Sequence, residues 1–218
     1  MIITNYLSKN IPLLSENDTV KKAKQIMLDL KLTHLSVLSQ GKLLGSISFD
    51  IVSNLEDDDF MKDHLIELDN FYLYEYATIF DSLRIFSDNE TNSIPVIDAK
   101  DKLLGIISEE DVVEELASYP FIAEFGVFMT IATPIQKYSI SEVANIVESN
   151  NGRILGLLVT NTEEDRTYIT LKIAAENISS IGDTFERFGY QISNKYFEDS
   201  KNELLKDRFD QLQKFMEV

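Results

Sequence analysis

The sequence predicts a mixed α and β chain in two parts: a strand, helix, strand, strand, helix unit present twice, then a βαββαβ domain and a C-terminal helix. Three observations predict it. Leu103-Leu104-Gly105-Ile106-Ile107-Ser108-Glu109-Glu110-Asp111 restates Leu43-Leu44-Gly45-Ser46-Ile47-Ser48-Phe49-Asp50 with the glycines 60 positions apart, and Thr78-Ile79 restates Thr19-Val20 at an offset of 59. In both copies short apolar runs alternate with stretches of helical period. Beyond Pro120 the order of the runs changes to strand, helix, strand, strand, helix, strand.

Residues 1–18 lead into the first copy, which begins near Asn10-Ile11-Pro12. Its first helix has Val20, Ala23, Met27 and Leu30 on one face; the counterpart in the second copy has Ile79, Ser82, Leu83 and Phe86. Thr78-Ile79-Phe80-Asp81 fits a capping box. A short apolar strand follows, Leu35-Ser36-Val37-Leu38 or Ile94-Pro95-Val96-Ile97, then a polar turn, Gln40-Gly41-Lys42 or Ala99-Lys100-Asp101-Lys102. The glycine-bearing strand comes next, and a second helix starts near Asp50-Ile51-Val52 or Asp111-Val112-Val113. Residues 53–70 form a polar, acidic bridge in which Phe60, Met61, Leu65, Ile66 and Leu68 offer packing surface. The first copy with its lead-in thus spans 1–59 and the second 60–118. Proline disfavours helix at the residue before it, so Tyr119-Pro120-Phe121 breaks the pattern and 119–124 reads as a linker.

Residues 125–198 read as strand 126–132, helix 141–148, the turn Asn150-Asn151-Gly152, strand 153–160, a polar hairpin, the alternating strand 167–173, helix 178–188 stopped by Gly189, and strand 190–193. That order is the split βαβ, ferredoxin-like arrangement. In 199–218, Leu205, Phe209, Leu212 and Met216 fall on one helical stripe, suited either to packing on its own domain or to a dimer contact.

Composition excludes several functions. The formal net charge of −17 argues against nucleic acid and anionic membrane as partners, because both are bound mainly through Lys and Arg. No apolar run approaches the roughly 20 residues of a membrane span, and the start lacks the basic then apolar pattern of a signal peptide, so the expected location is cytoplasmic. Zero Cys removes thiolate chemistry and disulfides. The acidic runs Glu56-Asp57-Asp58-Asp59 and Glu163-Glu164-Asp165 lack the alternating ligand spacing of a calcium loop and read as solvated loops. His34 and His64 are the only histidines and read as surface or packing residues. With no Cys, no linked histidines and no Gly-rich phosphate loop, no set of nucleophile, base and orienter can be assigned, and a non-catalytic protein is expected.

The order Ile94-Pro95-Val96-Ile97, then Gly105, Ser108 and Asp111, duplicated at an offset of 59 to 60, resembles a tandem pair of CBS domains, a Bateman module, over roughly residues 1–118. The second part is similar to an ACT domain in element order. ACT domains usually carry a glycine between the first strand and first helix, where this chain has Thr133-Pro134-Ile135-Gln136-Lys137-Tyr138; a dimerisation or docking role is the expectation there. The combination resembles the acetoin utilization protein B family, small regulatory proteins, although a fold-level likeness carries no pathway.

The CBS resemblance implies two clefts between the copies, each able to take an adenosyl compound such as AMP, ADP, ATP or S-adenosylmethionine, with no required cofactor. The carboxylate of Gly-x-x-Ser-x-x-Asp accepts ribose hydroxyls at a helix start. Carried over, the complete cleft uses Ser108 and Asp111 for the sugar, Ile106 as a wall, and Asn10, Pro12, Leu32, Thr33 and His34 around the base. The positions that usually meet phosphate are Asn92 and Ser93, both uncharged, which favours a ligand with little phosphate. In the other cleft Ser48 and Asp50 are two apart where Ser108 and Asp111 are three, which turns the carboxylate by about 100° if the helix has begun. Asp111 also fits a plain N-cap. Two readings follow: a homodimeric sensor of an adenosyl ligand, or a ligand-free dimeric scaffold for a partner enzyme.

Overall fold

The computed structural model describes residues 2–8, 11–163 and 165–193. Asn10 and the expected helix at 199–218 lie outside the described residues. The chain divides into two compact units, Met1–Ala117 and Ser118–Val218.

In the first unit each copy builds its own three-stranded sheet. β1 (Leu14–Ser15), α1 (Val20–Leu30), β2 (His34–Ser39), β3 (Lys42–Ser48) and α2 (Phe49–Asn54) form the first copy; β4 (Leu73–Tyr74), α3 (Ile79–Asp88), β5 (Ser93–Ile97), β6 (Leu103–Ser108) and α4 (Glu109–Ser118) form the second. In each sheet the middle strand pairs in parallel with the short first strand and antiparallel with the third.

Thr19 caps α1 by accepting the Lys22 N–H at 3.3 Å, and Val20, Ala23 and Met27 are buried. Leu30, expected on the same stripe, is 45% exposed. The helix ends there, Lys31 turns into the left-handed region at φ 53°, and Leu32 takes the inward place with its N–H on the Met27 carbonyl at 2.9 Å. In α3 the line Ile79, Ser82, Phe86 faces the core and Leu83, beside it, is exposed. The capping box is present: the Thr78 N–H donates to Asp81 at 2.7 Å, and that bond holds the Asp81 carboxyl below its usual range.

The change of offset from 59 to 60 lies in the hairpin turns. β2 and β3 are joined by Gln40 and Gly41, both at positive φ. Between β5 and β6 the Asp98 N–H reaches the Lys102 carbonyl at 2.9 Å and closes three residues, 99–101, while the Asp98 carboxylate accepts the N–H groups of Lys100 and Lys102 at 2.7 and 2.9 Å. After the turns the copies are level again, His34 pairing with Ser48 as Ser93 pairs with Ser108. The hairpins meet reciprocally: the Leu43 N–H reaches the Asp101 carbonyl at 3.3 Å and the Leu103 N–H reaches the Gly41 carbonyl at 3.2 Å, the mark of a pseudo-twofold axis.

The segments before each copy exchange places. Residues 2–8, assigned by sequence to the first copy, pair with the second: Ile3 N–H bonds the Ala77 carbonyl at 2.8 Å and Ser8 N–H the Ile106 carbonyl at 2.7 Å. The bridge does the same for the first copy, with Met61 N–H on the Asp18 carbonyl at 2.9 Å and Ser46 bridged to Asp69. Ile3 and Met61 are both fully buried. This exchange explains the repeated glycine. A Cβ on Gly45 would stand 2.8 Å from the Cβ of Leu68, and one on Gly105 would stand 3.1 Å from the side chain of Leu7.

The second unit contains α5 (Pro120–Ala123), β7 (Val127–Pro134), α6 (Ile140–Ser149), β8 (Arg153–Glu163), β9 (Arg166–Ala174), α7 (Ile178–Arg187) and β10 (Gln191–Ile192). The sheet is antiparallel throughout in the order β10-β7-β9-β8, the ferredoxin-like order. Met129, Ile131, Ile169, Leu171 and Ile173 of the sheet pack with Val143, Ile146 and Val147 of α6 and Ile181 and Phe185 of α7. The 119–124 stretch, read as linker, is built into this unit. Pro120 opens α5, where its missing N–H costs nothing, Phe121 lies over Gly156, and Lys172 Nζ donates to the Ile122 carbonyl at 2.8 Å. No helix among the described residues is long and apolar enough to cross a membrane.

Candidate functional site

Ser108 is the last residue of β6 and stands directly before α4. Its Oγ accepts the Asp111 N–H at 3.0 Å, the bond of an N-cap, and its hydroxyl donates to Asp111 Oδ2. Ser108 is therefore the cap and Asp111 sits at the third helical position. Both are half-buried. Asp111 joins Glu109 and Glu110 in the first turn of α4, where the helix dipole favours negative charge. Among the described residues nothing donates to Asp111 Oδ1.

The first copy repeats the cap without the acid. Ser48 Oγ accepts the Ile51 N–H at 3.3 Å, so Ile51 holds the place of Asp111 and Asp50 lies one position earlier, exposed. The offset between these carboxylates comes from residue order at the helix start, about 100° around it, and not from a shorter strand. Ser36, where the second copy has Pro95, is buried with Ser46, the two hydroxyls 3.4 Å apart.

The join between copies is bonded crosswise. Asn92 N–H donates to Thr33 Oγ1 at 3.0 Å, Thr33 N–H donates to Asn92 Oδ1 at 3.0 Å, and Asn92 Nδ2 donates to the Lys31 carbonyl at 2.8 Å. Beside them Ser93, paired with Ser108, donates its hydroxyl to the His34 carbonyl at 2.8 Å, and Glu109 N–H reaches the Asn92 carbonyl at 3.1 Å. Ser108, Asp111, Ser93, Asn92, Thr33 and His34 thus form one connected chain of bonds.

His34 is 8% exposed. Its Nε2 lies 3.3 Å from Asp69 Oδ2, its Nδ1 3.2 Å from Thr33 Oγ1, and its ring meets Phe71 edge to face. Burial pushes the imidazole below its usual pKa, against the opposite pull of Asp69 and Asp50. Ile106 and Leu32 are buried, Ile106 accepting Ser8 N–H through its carbonyl. Pro12 is exposed ahead of β1, and no bond among the described residues links it or the Leu32 side chain to the Ser108 and Asp111 pair. Asp69 and Phe71, which frame His34, carry no local sequence signal; their part follows from the exchange of lead-in segments.

The site offers carboxylates, hydroxyls, an amide and a neutral imidazole. Such groups recognise hydroxyls and base edges, and they give little to a phosphate. In the second unit the stretch between β7 and α6 is a 3₁₀ turn, Ile135–Lys137, followed by Ser139 as the cap of α6. A groove of about 620 Å³ runs along α6, lined by Ser139, Ser141, Glu142, Asn145, Ile146 and Phe188 among others. Among the described residues no group of acidic and histidine side chains is placed to hold a metal ion.

Comparison with known proteins gives a match to the CBS domain family over residues 3–54 and 58–118. A homoserine O-acetyltransferase of Methanosarcina acetivorans is 26% identical over 114 residues, 51% of this chain and 21% of that enzyme. The chain spans between about a fifth and two fifths of the length of the curated relatives it matches. Among solved structures, a CBS domain pair/ACT domain protein from Thermotoga maritima is 21% identical with a TM-score of 0.48, covering 53% of this chain and 96% of that one. An acetoin utilization protein from Vibrio cholerae is 23% identical with a TM-score of 0.45, covering 53% of this chain and 90% of that one.

Proposed function

The chain belongs to the CBS domain family, and from that premise we propose that it is a non-catalytic regulatory protein of the cytoplasm whose CBS pair senses an adenosyl ligand. The observation that carries this reading is Asp111. Its Oδ2 is taken by the Ser108 hydroxyl, and Oδ1 has no donor among the described residues. A carboxylate has about four acceptor sites. A ribose hydroxyl fills the free ones without breaking the cap, and the α4 N-terminus supports the charge.

The ligand suited to this site is an adenosyl compound with few phosphate charges: S-adenosylmethionine or AMP before ADP or ATP. Glu109 and Glu110 flank the carboxylate, and Asn92 and Ser93 supply no positive charge. The first copy, with Ile51 in the place of Asp111, is the poorer site. Binding shifts the population of states in a homodimer, and a partner reads the shift.

A second reading is favoured by the join. Thr33 and Asn92 spend their polar groups on each other, which suits a ligand-free homodimeric scaffold for a metabolic enzyme. Thermal denaturation with AMP, ADP, ATP, S-adenosylmethionine and NAD separates the two. At 100 times its dissociation constant a ligand adds about 2.7 kcal/mol, a rise of roughly 2–4 °C in a chain of this size. No rise with any of them moves the assignment to the scaffold.

A further inference from the structure

Three of the chain's nine tyrosines, Tyr72, Tyr74 and Tyr76, stand at alternate positions through and just beyond β4. Alternate positions of an extended stretch share one side, and the three rings form a row there. Tyr72 meets Tyr74 edge to face with the ring centres 5.4 Å apart, and Tyr74 and Tyr76 are stacked, 5.4 Å apart with 9° between their planes. Tyr76 is 72% exposed and the other two are half-buried.

The duplication supplies an internal control. Leu14 pairs with Val37 as Leu73 pairs with Val96. The Glu16 N–H bonds the Leu38 carbonyl at 2.9 Å as the Glu75 N–H bonds the Ile97 carbonyl at 3.0 Å, and Asp18 N–H closes on the Ser15 carbonyl as Ala77 N–H closes on that of Tyr74, both at 2.9 Å. The first copy makes this same backbone with Leu13, Ser15 and Asn17 in the places of the three tyrosines. The fold therefore does not call for the rings. A contiguous aromatic row held partly in water, in one copy and not in the other, is surface kept for contact with something else.

The surroundings say what kind of partner fits. Between Lys62 and Arg84 the chain carries five carboxylates and no lysine or arginine. The hydrogen bond to Tyr72, and then the Asp101 carboxylate, push the Tyr74 phenol above its usual pKa, so the charged side chain felt at the row is also an acid. Ring faces and carboxylates both attract cations and repel phosphates. The flat cation among side chains is the arginine guanidinium, which is weakly hydrated, stacks on aromatic faces and offers a fork of donors to a carboxylate. In an extended peptide, side chains on one side recur about every 6.7 Å, near the spacing of the rings.

We propose that the row of Tyr72, Tyr74 and Tyr76 is a docking surface for an arginine-bearing extended segment of a partner protein, its guanidinium groups lying on the ring faces and reaching the carboxylates beside them. The surface belongs to the second copy and does not depend on an adenosyl ligand, so its failure leaves the Asp111 site standing.

The test is fluorescence anisotropy of a fluorescein-labelled (Arg-Thr)₄ peptide titrated with the full chain in 0.15 M NaCl, beside the (Lys-Thr)₄ peptide of equal charge. Wild type is expected to bind the arginine peptide saturably and severalfold more tightly than the lysine peptide. The variant Tyr72→Leu, Tyr74→Ser, Tyr76→Asn gives each position the residue of the first copy. It is expected to keep the wild-type melting curve and to bind the arginine peptide about tenfold or more weakly, level with the lysine one. Should that variant not fold, Tyr76→Asn alone, at the most exposed ring, is expected to weaken the arginine peptide severalfold and to leave the lysine peptide unchanged. No saturable binding of the arginine peptide overturns the proposal. Equal binding of the two peptides by wild type, or arginine binding untouched by the folded variants, reduces the contact to the general attraction of an acidic surface and overturns it as well.

Discussion

Thr33 and Asn92 hold the two CBS copies together by bonding each other in both directions, backbone N–H to side-chain oxygen each way at 3.0 Å. Asn92 adds a bond from Nδ2 to the Lys31 carbonyl. The position that the family resemblance assigns to phosphate is occupied with fastening β5 to the end of α1.

Asn92→Ala removes the Asn92 side-chain bonds to Thr33 and to the Lys31 carbonyl and leaves the Thr33 N–H without its acceptor. The expected loss is about 1–3 kcal/mol in urea denaturation. Asn92→Asp keeps the acceptor and should lose less. An unchanged midpoint in the alanine variant contradicts the fastening role.

The two motif glycines should not respond alike. Gly45 has φ 151° and lies under the Leu68 Cβ and the Asp69 carbonyl oxygen, 2.8 and 2.9 Å from a built Cβ. Gly105 meets only the Leu7 side chain, at 3.1 Å or more, and has no positive φ. Gly45→Ala is expected to cost about 2–3 kcal/mol or more, through strain and overpacking, and Gly105→Ala about 1 kcal/mol. Equal losses in chemical denaturation contradict the roofing geometry.

His34 makes the stability of the first unit pH-dependent. Its folded pKa lies below the unfolded value of about 6.5, so in the window beneath 6.5 the unfolded chain binds more protons. Its contribution is fully present above that window and is lost as pH falls through the folded pKa. Asp69 and Asp50 oppose the shift, and Phe71 and Thr33 complete the surroundings. The wild type should lose more stability than His34→Gln between about pH 7 and 5. Parallel melting curves across that range contradict this.

The strap α5 is held by shape. A Cβ on Gly156 overlaps the Phe121 ring. Gly156→Ala is expected to lift α5 and to speed chymotryptic cleavage near Tyr119 and Phe121 severalfold. An unchanged cleavage rate contradicts the packing.

The sequence showed most of the fold because its signals were local or periodic. Gly45 and Gly105 announced the duplication, Thr78 and Asp81 announced their capping box, and the βαββαβ order was readable from apolar runs and from Gly152 and Gly189. What it could not show depends on chain geometry. Leu30 fits the α1 stripe, but the left-handed turn at Lys31 hands its place to Leu32. The exchange of lead-in segments, which sets Leu7 on Gly105 and Asp69 beside His34, joins residues far apart in the chain. That residues 2–8 pair with the second copy has no local signal in the sequence. At the site, the spacing of Ser108 and Asp111 was legible, while the turn carrying the extra residue at 99–101 became clear only from the strand register.

The most direct test of the sensor reading is isothermal titration of the full chain with AMP and S-adenosylmethionine, as wild type and as Asp111→Asn. Asparagine keeps the shape but loses the charge and half of the acceptor capacity. The account predicts saturable binding of one adenosyl ligand per chain, weakened about tenfold or more in the variant, in line with the 1.5–3 kcal/mol of a hydrogen bond to a charged group. Binding of equal strength in both proteins, or no heat with either ligand, contradicts the placement of that ligand on Asp111.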